Sequence, residues 1–377
     1  MKVSIITRHA IANYGSILQS IATEKIFQKL GLETEIINYV PENEKIENLV
    51  ESYIKNSSFW NKNFLTRQAY RTLQKNNIYL MNKAFRKFQE DYLNLSSQEY
   101  HSKEELVQNK PKADLFCTGS DQVWGAIGSS KYDLNYFLDF LSDEDVAISY
   151  AASFGKNTIC EELISQLPEL TQKYKEILVR EDSAVDILQE SGVTNVKQVI
   201  DPTLFLTQDD WNNICVNERL VSEDYILIYQ LHHNKNLEKY AKKLAKATGK
   251  KLVRINTSKY FKYKVGEFVY LPTPGEFLSY IKYADLVLTD SFHGTCFSII
   301  YNKDFIDILP GVTGTRITSI LKLFGLENRL VTDYNDLSVL DESIDFEKVN
   351  ELVKSEQTDS LQKLKETLDK CNISYEK

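Results

Sequence analysis

Residues 284–295 read ADLVLTDSFHGT and indicate the fold class of the surrounding chain. The apolar run 286–288 predicts a buried strand, and the residues from Thr295 to Ile300 predict a helix that begins directly after it. In α/β sheets, ligands bind at the carboxyl ends of strands, where helix N-termini present free N–H groups. The polar turn is therefore a candidate site, and His293 is suited to carry a proton or to pair with phosphate. Capping or packing by this histidine is the alternative.

On both sides of this stretch in the sequence, predicted strands alternate with predicted helices, which predicts parallel sheets. A polar, helical insertion of about residues 42–107 interrupts the alternation. The predicted strands are Val3–Thr7, Glu35–Tyr39, Asp114–Cys117, Val146–Ala151, Glu176–Val179, Val196–Ile200, Tyr225–Tyr229, Leu252–Ile255, Leu286–Leu288 and Phe305–Ile308.

The length of 377 residues exceeds what a single core usually reaches, so two domains are expected. We predict an α/β protein with two Rossmann-like lobes, each built on a parallel sheet, in a GT-B-like arrangement with the ligand cleft between the lobes. The N-terminal lobe is expected at 1–205 and the C-terminal lobe at 222–345. A helical segment at 346–377 is expected to follow.

Composition and charge exclude several classes of protein. The net charge of −8 argues against general nucleic-acid binding, which needs a basic surface. The five cysteines form no CxxC pair and no Cys/His cluster, so neither a zinc site nor a disulfide framework is predicted. No apolar stretch reaches the roughly 18–20 residues of a membrane span, and the start of the chain lacks a signal-peptide pattern. We expect a cytoplasmic protein, soluble or peripheral at the inner membrane face.

Four further motifs accompany the SFHG turn at 291–294. They are NYGSILQ at 13–19, TGSDQVW at 118–124, VREDS at 179–183 and VIDPT at 199–203. Each motif alone is weakly specific, but their joint order resembles the polysaccharide pyruvyl transferase family over most of the chain, up to Arg316. The resemblance implies ketal formation, in which the enolpyruvyl part of phosphoenolpyruvate passes to two hydroxyls of one sugar and phosphate leaves.

The implied chemistry needs fixed cations for the carboxylate and phosphate of the donor, a general acid and a general base. It needs no metal or other cofactor, and the partners it implies are phosphoenolpyruvate and a glycan or lipid-linked oligosaccharide. The resemblance makes His293 the candidate for acid–base work or phosphate binding, with Asp121 as a candidate base.

Donor binding is assigned to Arg180 and Arg316, together with Ser291, Gly294 and Thr295. For Arg180 the alternative is an ion pair with Glu181 or Asp182. For Arg316, next to a predicted helix start, the alternative is a solvated surface position. Several branches of the family have an arginine where this sequence has Ser291. The missing cation must then come from Arg180, Arg316 or the helix N-terminus, or this branch holds a different donor.

The acceptor side is assigned to Asn13, Gly15, Ser16 and Trp124. Gly15 and Ser16 begin a predicted helix and can receive an anion, although a glycine turn with a serine N-cap explains them equally well. Trp124 can stack on a sugar ring, and core packing is its alternative.

Three other polar residues lie at predicted strand ends without an assigned role in the reaction. Asp201, before Pro202, is predicted to be a turn residue whose carboxylate accepts backbone N–H groups. His232 and His233 follow the predicted strand 225–229, at the equivalent edge of the second sheet.

The insertion contains a predicted basic amphipathic helix. Its cations are Arg67, Arg71, Lys75, Lys83, Arg86 and Lys87, and its apolar residues at near-helical spacing are Tyr70, Leu73, Met81, Ala84, Phe85 and Phe88. Such a helix can lie on an anionic membrane or meet a lipid-linked pyrophosphate sugar. Alternatively, it packs its apolar stripe on the protein and solvates its charges.

Two other functions compete with pyruvyl transfer. One is a GT-B-type glycosyltransferase with a nucleotide-sugar donor, because fold does not fix function. The other is a non-catalytic glycan-binding protein. A nucleotide donor needs a pocket that stacks on its base, whereas phosphoenolpyruvate needs only anion-binding groups.

Overall fold

The computed structural model describes residues 1–42, 44–126, 132–232, 234–259, 265–309 and 314–376. Its contacts divide the chain into two compact units. The first comprises Met1–Arg180, Ala184–Pro202 and Gln362–Lys377, and the second comprises Glu181–Ser183 and Thr203–Leu361. The domain bounds given above, 1–205, 222–345 and 346–377, and the cleft between the lobes stay predictions.

A seven-stranded parallel sheet forms the centre of the first unit. Its strands are β1 (Lys2–Ile6), β2 (Glu33–Tyr39), β3 (Leu95–Tyr100), β4 (Leu115–Thr118), β5 (Ala147–Ala152), β6 (Tyr174–Val179) and β7 (Val196–Gln198). They lie in the order β3-β2-β1-β4-β5-β6-β7. The helices of this part of the chain are α1 (Tyr14–Gln28), α2 (Ile46–Asn56), α3 (Phe64–Tyr92), α4 (Lys103–Gln108), α5 (Glu161–Thr171) and α6 (Asp182–Glu190).

The second unit contains a five-stranded parallel sheet. Its strands are β8 (Tyr225–Tyr229), β9 (Lys251–Asn256), β10 (Glu267–Tyr270), β11 (Leu286–Thr289) and β12 (Phe305–Asp307), in the order β10-β9-β8-β11-β12. The remaining helices are α7 (Pro202–Phe205), α8 (Gln208–Asn212), α9 (Lys235–Thr248), α10 (Pro274–Lys282), α11 (Phe292–Ile300), α12 (Thr315–Leu323) and α13 (Phe346–Lys370).

Every pairing between these strands is parallel, which confirms the predicted fold class. Strands β4, β8 and β11 are buried along their whole length, as expected for strands covered on both faces. In the part of the chain that the structure describes, no helix combines the length and the apolar character needed to cross a bilayer.

The prediction of a wholly helical insertion at about 42–107 is wrong near its C-terminal end. Residues Leu95–Tyr100 form β3, which pairs with β2 at the edge of the first sheet. The sequence of this strand, LSSQEY, has no apolar run because an edge strand is only partly buried. Strand β10, at the edge of the second sheet, was also not predicted, because its sequence, EFVY, is only four residues long.

Each sheet has one point where the strand order reverses. In the first sheet this point lies between β1 and β4, and in the second it lies between β8 and β11. The chain leaves the two neighbouring strands in opposite directions there, which opens a crevice at their carboxyl ends. These two edges are where ligand-binding residues are expected, and each is described separately below.

Candidate active site

The SFHG turn lies at the reversal point of the second sheet, directly after β11. Ser291 is the N-cap of α11, and its Oγ accepts the Gly294 N–H at 3.3 Å. The Ser291 N–H in turn donates to Thr289 Oγ1 at 3.0 Å. A Cβ at position 294 would lie 2.4 Å from the same Thr289 hydroxyl, so only glycine fits this close approach. The hydroxyl of Ser291 therefore shapes the turn, and its predicted contact with the donor stays a prediction.

His293 is the second residue of α11 and is almost fully buried. Its ring packs edge-on against the neighbouring Phe292 ring, with the centroids 5.2 Å apart. The guanidinium carbon of Arg316, at the start of α12, lies 5.7 Å from the centroid of the same phenyl ring. Phe292 thus contacts two of the predicted site residues of this unit, His293 and Arg316. A cation near a helix N-terminus is electrostatically unfavourable, and an anionic ligand would offset that cost.

Asp290 links the two strands that flank the reversal point. Its buried carboxylate accepts the backbone N–H groups of Leu231 at 2.7 Å and of His232 at 2.9 Å. The Nδ1 atom of His232 lies 3.3 Å from Asp290 Oδ2, and the imidazole is half exposed. Sequence reasoning did not select Asp290, although it directly precedes the SFHG motif. His233 lies outside the described residues.

Thr295 is buried and binds a second carboxylate of this unit. Its hydroxyl donates to Asp307, with Oγ1 lying 2.8 Å from Oδ1 and 3.0 Å from Oδ2. Burial raises the pKa of Asp307 well above its ordinary value, and the hydroxyl of Thr295 opposes this shift. The side chain of Thr295 therefore holds α11 against β12, so the structure favours a packing role over the predicted contact with the donor.

We expect Thr295→Val to destabilise the protein by ~1–3 kcal/mol, because it leaves a buried carboxyl group without its hydroxyl donor. Urea denaturation of the purified variant measures this change. Thr295→Ser is the matched control, since it keeps the hydroxyl and should retain most of the stability. Equal stability of the valine variant and the wild type would show that the hydrogen bond to Asp307 contributes nothing.

Asn13, Gly15 and Ser16 form the start of α1 at the edge of the first sheet. The N-cap of the helix is Asn13, not Ser16 as one alternative had it, and Asn13 Oδ1 accepts the Gly15 N–H at 2.8 Å. The same oxygen accepts the Ser16 N–H at 3.4 Å. Because Asn13 occupies these two donors, an anion could bind them only by displacing its side chain. Their predicted contact with the acceptor stays a prediction.

Asp121 follows β4 on the other side of this reversal point and is mostly buried. Its Oδ2 accepts the hydroxyl of Ser16 at 2.5 Å. The backbone of Asp121 has φ +75°, in the left-handed region that residues other than glycine rarely adopt. Such conformations cost roughly 1–3 kcal/mol and persist where surrounding structure holds them, often at functional sites. Asp121 thus has the fixed position that a general base requires.

Arg180 pairs with Asp201. Its Nη1 lies 2.9 Å from Asp201 Oδ2, and the two side chains are only 2% and 0% exposed. The hydroxyl of Ser120 donates to the same carboxylate oxygen at 3.2 Å. The carboxylate of Asp201 thus accepts side-chain donors, in addition to any backbone N–H of the predicted turn. Donor binding by Arg180 stays a prediction, and a ligand would have to share this cation with Asp201.

Trp124 belongs to the core of the first unit. Its ring stacks on Phe137 with centroids 5.0 Å apart and an interplanar angle of 7°, and it is fully buried. The indole N–H donates to the carbonyl of Tyr136 at 3.1 Å. A ring that stacks on a sugar needs an exposed face, so the predicted acceptor role is corrected to core packing. The sequence alone does not distinguish the two roles, because a tryptophan at the end of the TGSDQVW motif is compatible with both sugar stacking and core packing.

Sequence reasoning gave no role to a buried ion pair after β1. Arg8 Nη2 lies 3.0 Å from Glu44 Oε1, and the hydroxyl of Tyr136 donates to Glu44 Oε2 at 3.1 Å. Burial raises the pKa of Glu44, and the guanidinium of Arg8 opposes this shift. The guanidinium also lies over the Tyr136 ring, 5.8 Å from its centroid. Arg8 follows a predicted strand, but its partner lies in the insertion, where the sequence gives no signal.

Comparisons with solved structures support the fold. The chain is similar to the trehalose-6-phosphate synthase OtsA, at 8% identity and a TM-score of 0.51, over 100% of both chains. It is also similar to Staphylococcus aureus MnaA in a co-structure with UDP, at 11% identity and a TM-score of 0.51, over 94% of this chain and 87% of that one. The N-terminal domain of Candida albicans trehalose-6-phosphate phosphatase matches at 11% identity and a TM-score of 0.50, over 98% and 96% of the two chains. At such identities the likeness shows the GT-B-like fold alone.

A comparison with curated protein sequences gives no match. The family model for polysaccharide pyruvyl transferase matches residues 13–308, which is most of the chain. The matched range includes Asp121, Arg180 and the SFHG turn, and it ends before Arg316. The chain therefore belongs to the polysaccharide pyruvyl transferase family and is a transferase.

Proposed function

We propose that this protein transfers the pyruvyl group of phosphoenolpyruvate to two hydroxyls of one sugar, in a cell-surface polysaccharide or its lipid-linked precursor. The observation that carries the proposal is the position of the family's motif histidine. His293 lies at the reversal point of the second sheet, and Arg316 contacts the same phenyl ring. An acid–base group and a cation near one strand end fit a small, doubly anionic donor.

The proposed reaction begins with proton transfer to the methylene carbon of phosphoenolpyruvate, which becomes a methyl group. The neighbouring carbon becomes oxocarbenium-like, and one sugar hydroxyl attacks it and loses its proton. The bond from this carbon to the phosphate oxygen then breaks, and the second hydroxyl closes the ketal. Two carbon–oxygen bonds form and one breaks. Of the two hydroxyl protons, one balances the new methyl group and the other leaves with the phosphate.

His293 is assigned the proton transfer to the donor, and Asp121 is assigned the removal of a proton from the acceptor. Arg316 is the preferred cation for the donor, because Arg180 already binds Asp201 and because Ser291 stands where other branches of the family have an arginine. A bidentate guanidinium matches both the carboxylate and the phosphate of phosphoenolpyruvate.

Phosphoenolpyruvate should stabilise the protein against heat by an amount that grows as RT ln(1 + [L]/Kd). Arg316→Ala should weaken this binding by roughly tenfold to a hundredfold, the loss expected for one charge-assisted hydrogen bond of ~1.5–3 kcal/mol. Arg316→Lys is the matched control, and it should restore little because lysine lacks the planar pair of donors. Thermal-shift titration measures all three proteins.

Turnover requires a second measurement. Phosphate should be released from phosphoenolpyruvate only when a suitable glycan is present, and mass spectrometry should find the pyruvate ketal on the glycan. Phosphate release without a glycan, or no binding of phosphoenolpyruvate at any concentration, would contradict the proposal.

A nucleotide-sugar glycosyltransferase is the second candidate. The similar S. aureus MnaA structure contains UDP, and this chain shares its fold. Stabilisation by UDP or GDP, without stabilisation by phosphoenolpyruvate, would favour this candidate. Binding of a glycan without turnover of either donor would instead favour a non-catalytic glycan-binding protein.

A further inference from the structure

A group of exposed apolar side chains lies in and beside the turn between α2 and α3. Tyr53, Phe59, Phe64 and Leu65 are 51%, 62%, 66% and 76% exposed, and we call this group the hairpin tip. Scattered apolar residues are normal on a protein surface, whereas a contiguous group marks an interaction site. We propose that the hairpin tip binds the surface of an anionic lipid bilayer.

The hairpin tip rests on an ordered aromatic cluster. The rings of Tyr53 and Tyr70 stack with centroids 5.0 Å apart, and Trp60 lies 4.9 Å from both Tyr70 and Phe59. Tryptophan and tyrosine are enriched at bilayer interfaces, because their rings are apolar while their N–H and O–H groups bind water and headgroups. These ring contacts connect Tyr53 and Phe59 of the tip through Tyr70 and Trp60.

The charge around the hairpin tip selects an anionic partner. Near the tip, residues 52–70 contain three lysines and arginines and no acidic residue, in a chain whose net charge is −8. The exposed residues Lys55 and Lys62 lie in sequence between the apolar residues of the tip. Each lysine or arginine near an anionic bilayer contributes ~1 kcal/mol of attraction. Apolar and cationic side chains on one surface are the combination that interfacial binding requires.

The C-terminal part of the apolar stripe predicted from the sequence does not belong to this surface. Met81, Phe85 and Phe88 are buried, and the ring of Phe85 packs 5.3 Å from that of Tyr14 in α1. This stripe therefore anchors the C-terminal half of α3 to the first unit. Leu65 lies twenty residues before Phe85 on α3, which places it roughly 30 Å from Phe85 at a rise of 1.5 Å per residue. The tip is thus free of the packing that buries the stripe.

Vesicle co-sedimentation tests the proposal with the full chain. We expect binding to vesicles that contain phosphatidylglycerol, weaker binding to pure phosphatidylcholine, and loss of the difference at high salt. The double variant Phe64→Ser/Leu65→Ser should lower the partition coefficient by at least about tenfold, because both apolar side chains leave the interface. Lys55→Glu/Lys62→Glu should remove the preference for anionic vesicles. Val107→Ser is the matched control, since Val107 is 54% exposed in α4 and should not affect binding.

Two outcomes would overturn the proposal. One is binding to anionic vesicles that the tip variants do not change. The other is a wild-type oligomer that Phe64→Ser/Leu65→Ser converts to monomers, as light scattering would detect, because the tip would then be a protein interface. Ketal formation on a water-soluble acceptor should be the same in the tip variants and the wild type. Membrane binding and the proposed function can therefore fail independently.

Discussion

His293→Ala is expected to lower turnover by ~10²- to 10⁴-fold while the protein stays folded, the range typical for loss of a positioned acid or base. The imidazole lies at the start of α11, where the strand order of the sheet reverses. Alanine keeps the helix but has no group that can carry a proton. Steady-state rates of phosphate release measure the effect, and circular dichroism confirms the fold.

His232→Ala is the matched control for this experiment. His232 lies at the same edge of the sheet, but its imidazole is half exposed and faces Asp290. We expect less than about a tenfold loss of turnover for this variant, since the protein does little to position a half-exposed imidazole for proton transfer. Near-normal turnover of a folded His293→Ala variant would remove this histidine from the mechanism.

The central strands could be predicted from the sequence, and so could the edge strands β7 and β12, but the edge strands β3 and β10 could not. Leu286–Thr289 is apolar along its length because both faces of β11 are covered, so a short apolar run identifies it. Leu95–Tyr100 is an edge strand whose polar sequence, LSSQEY, resembles a loop. Glu267–Tyr270, with the sequence EFVY, is an edge strand of only four partly exposed residues. The period-2 and apolar-run signals are thus too weak in β3 and β10 to identify them as strands.

The candidate site residues divide in a similar way: their positions follow from neighbouring sequence, whereas their contacts depend on residues distant in sequence. Four strands flank the two reversal points, and each is followed by polar residues that the sequence brought to attention: Ser16 after β1, Asp121 after β4, His232 after β8 and His293 after β11. Each strand leads directly into the loop at the carboxyl edge of the sheet. The residues at this edge can therefore be identified from the sequence that follows each strand. Motif position could therefore be read from the sequence.

Pairing between distant residues could not be read in this way. Arg180 pairs with Asp201, twenty-one residues away on the far side of α6 and β7, and no signal in the sequence indicated this pair. The burial of Trp124 is similar, because it depends on Phe137, which belongs to a different segment. Such contacts depend on the packed structure, and no periodicity in the sequence encodes them.

Asp201→Asn is expected to destabilise the protein by ~3–5 kcal/mol, the cost of leaving one partner of a buried ion pair without its counter-charge. The guanidinium of Arg180 is only 2% exposed, so water cannot replace the lost carboxylate. The hydroxyl of Ser120 also loses its charged acceptor. Urea denaturation measures the change in the free energy of unfolding.

Two matched variants separate this structural role from donor binding. Asp139→Asn removes the carboxylate of an exposed ion pair with Lys103, where we expect a loss of at most ~1 kcal/mol. Arg180→Met combined with Asp201→Asn should recover much of the stability, because it removes the buried charge that the single variant leaves behind. Unchanged stability of Asp201→Asn would contradict a structural pair. If that variant also bound phosphoenolpyruvate more weakly, Arg180 would be a donor-binding residue that Asp201 merely orients.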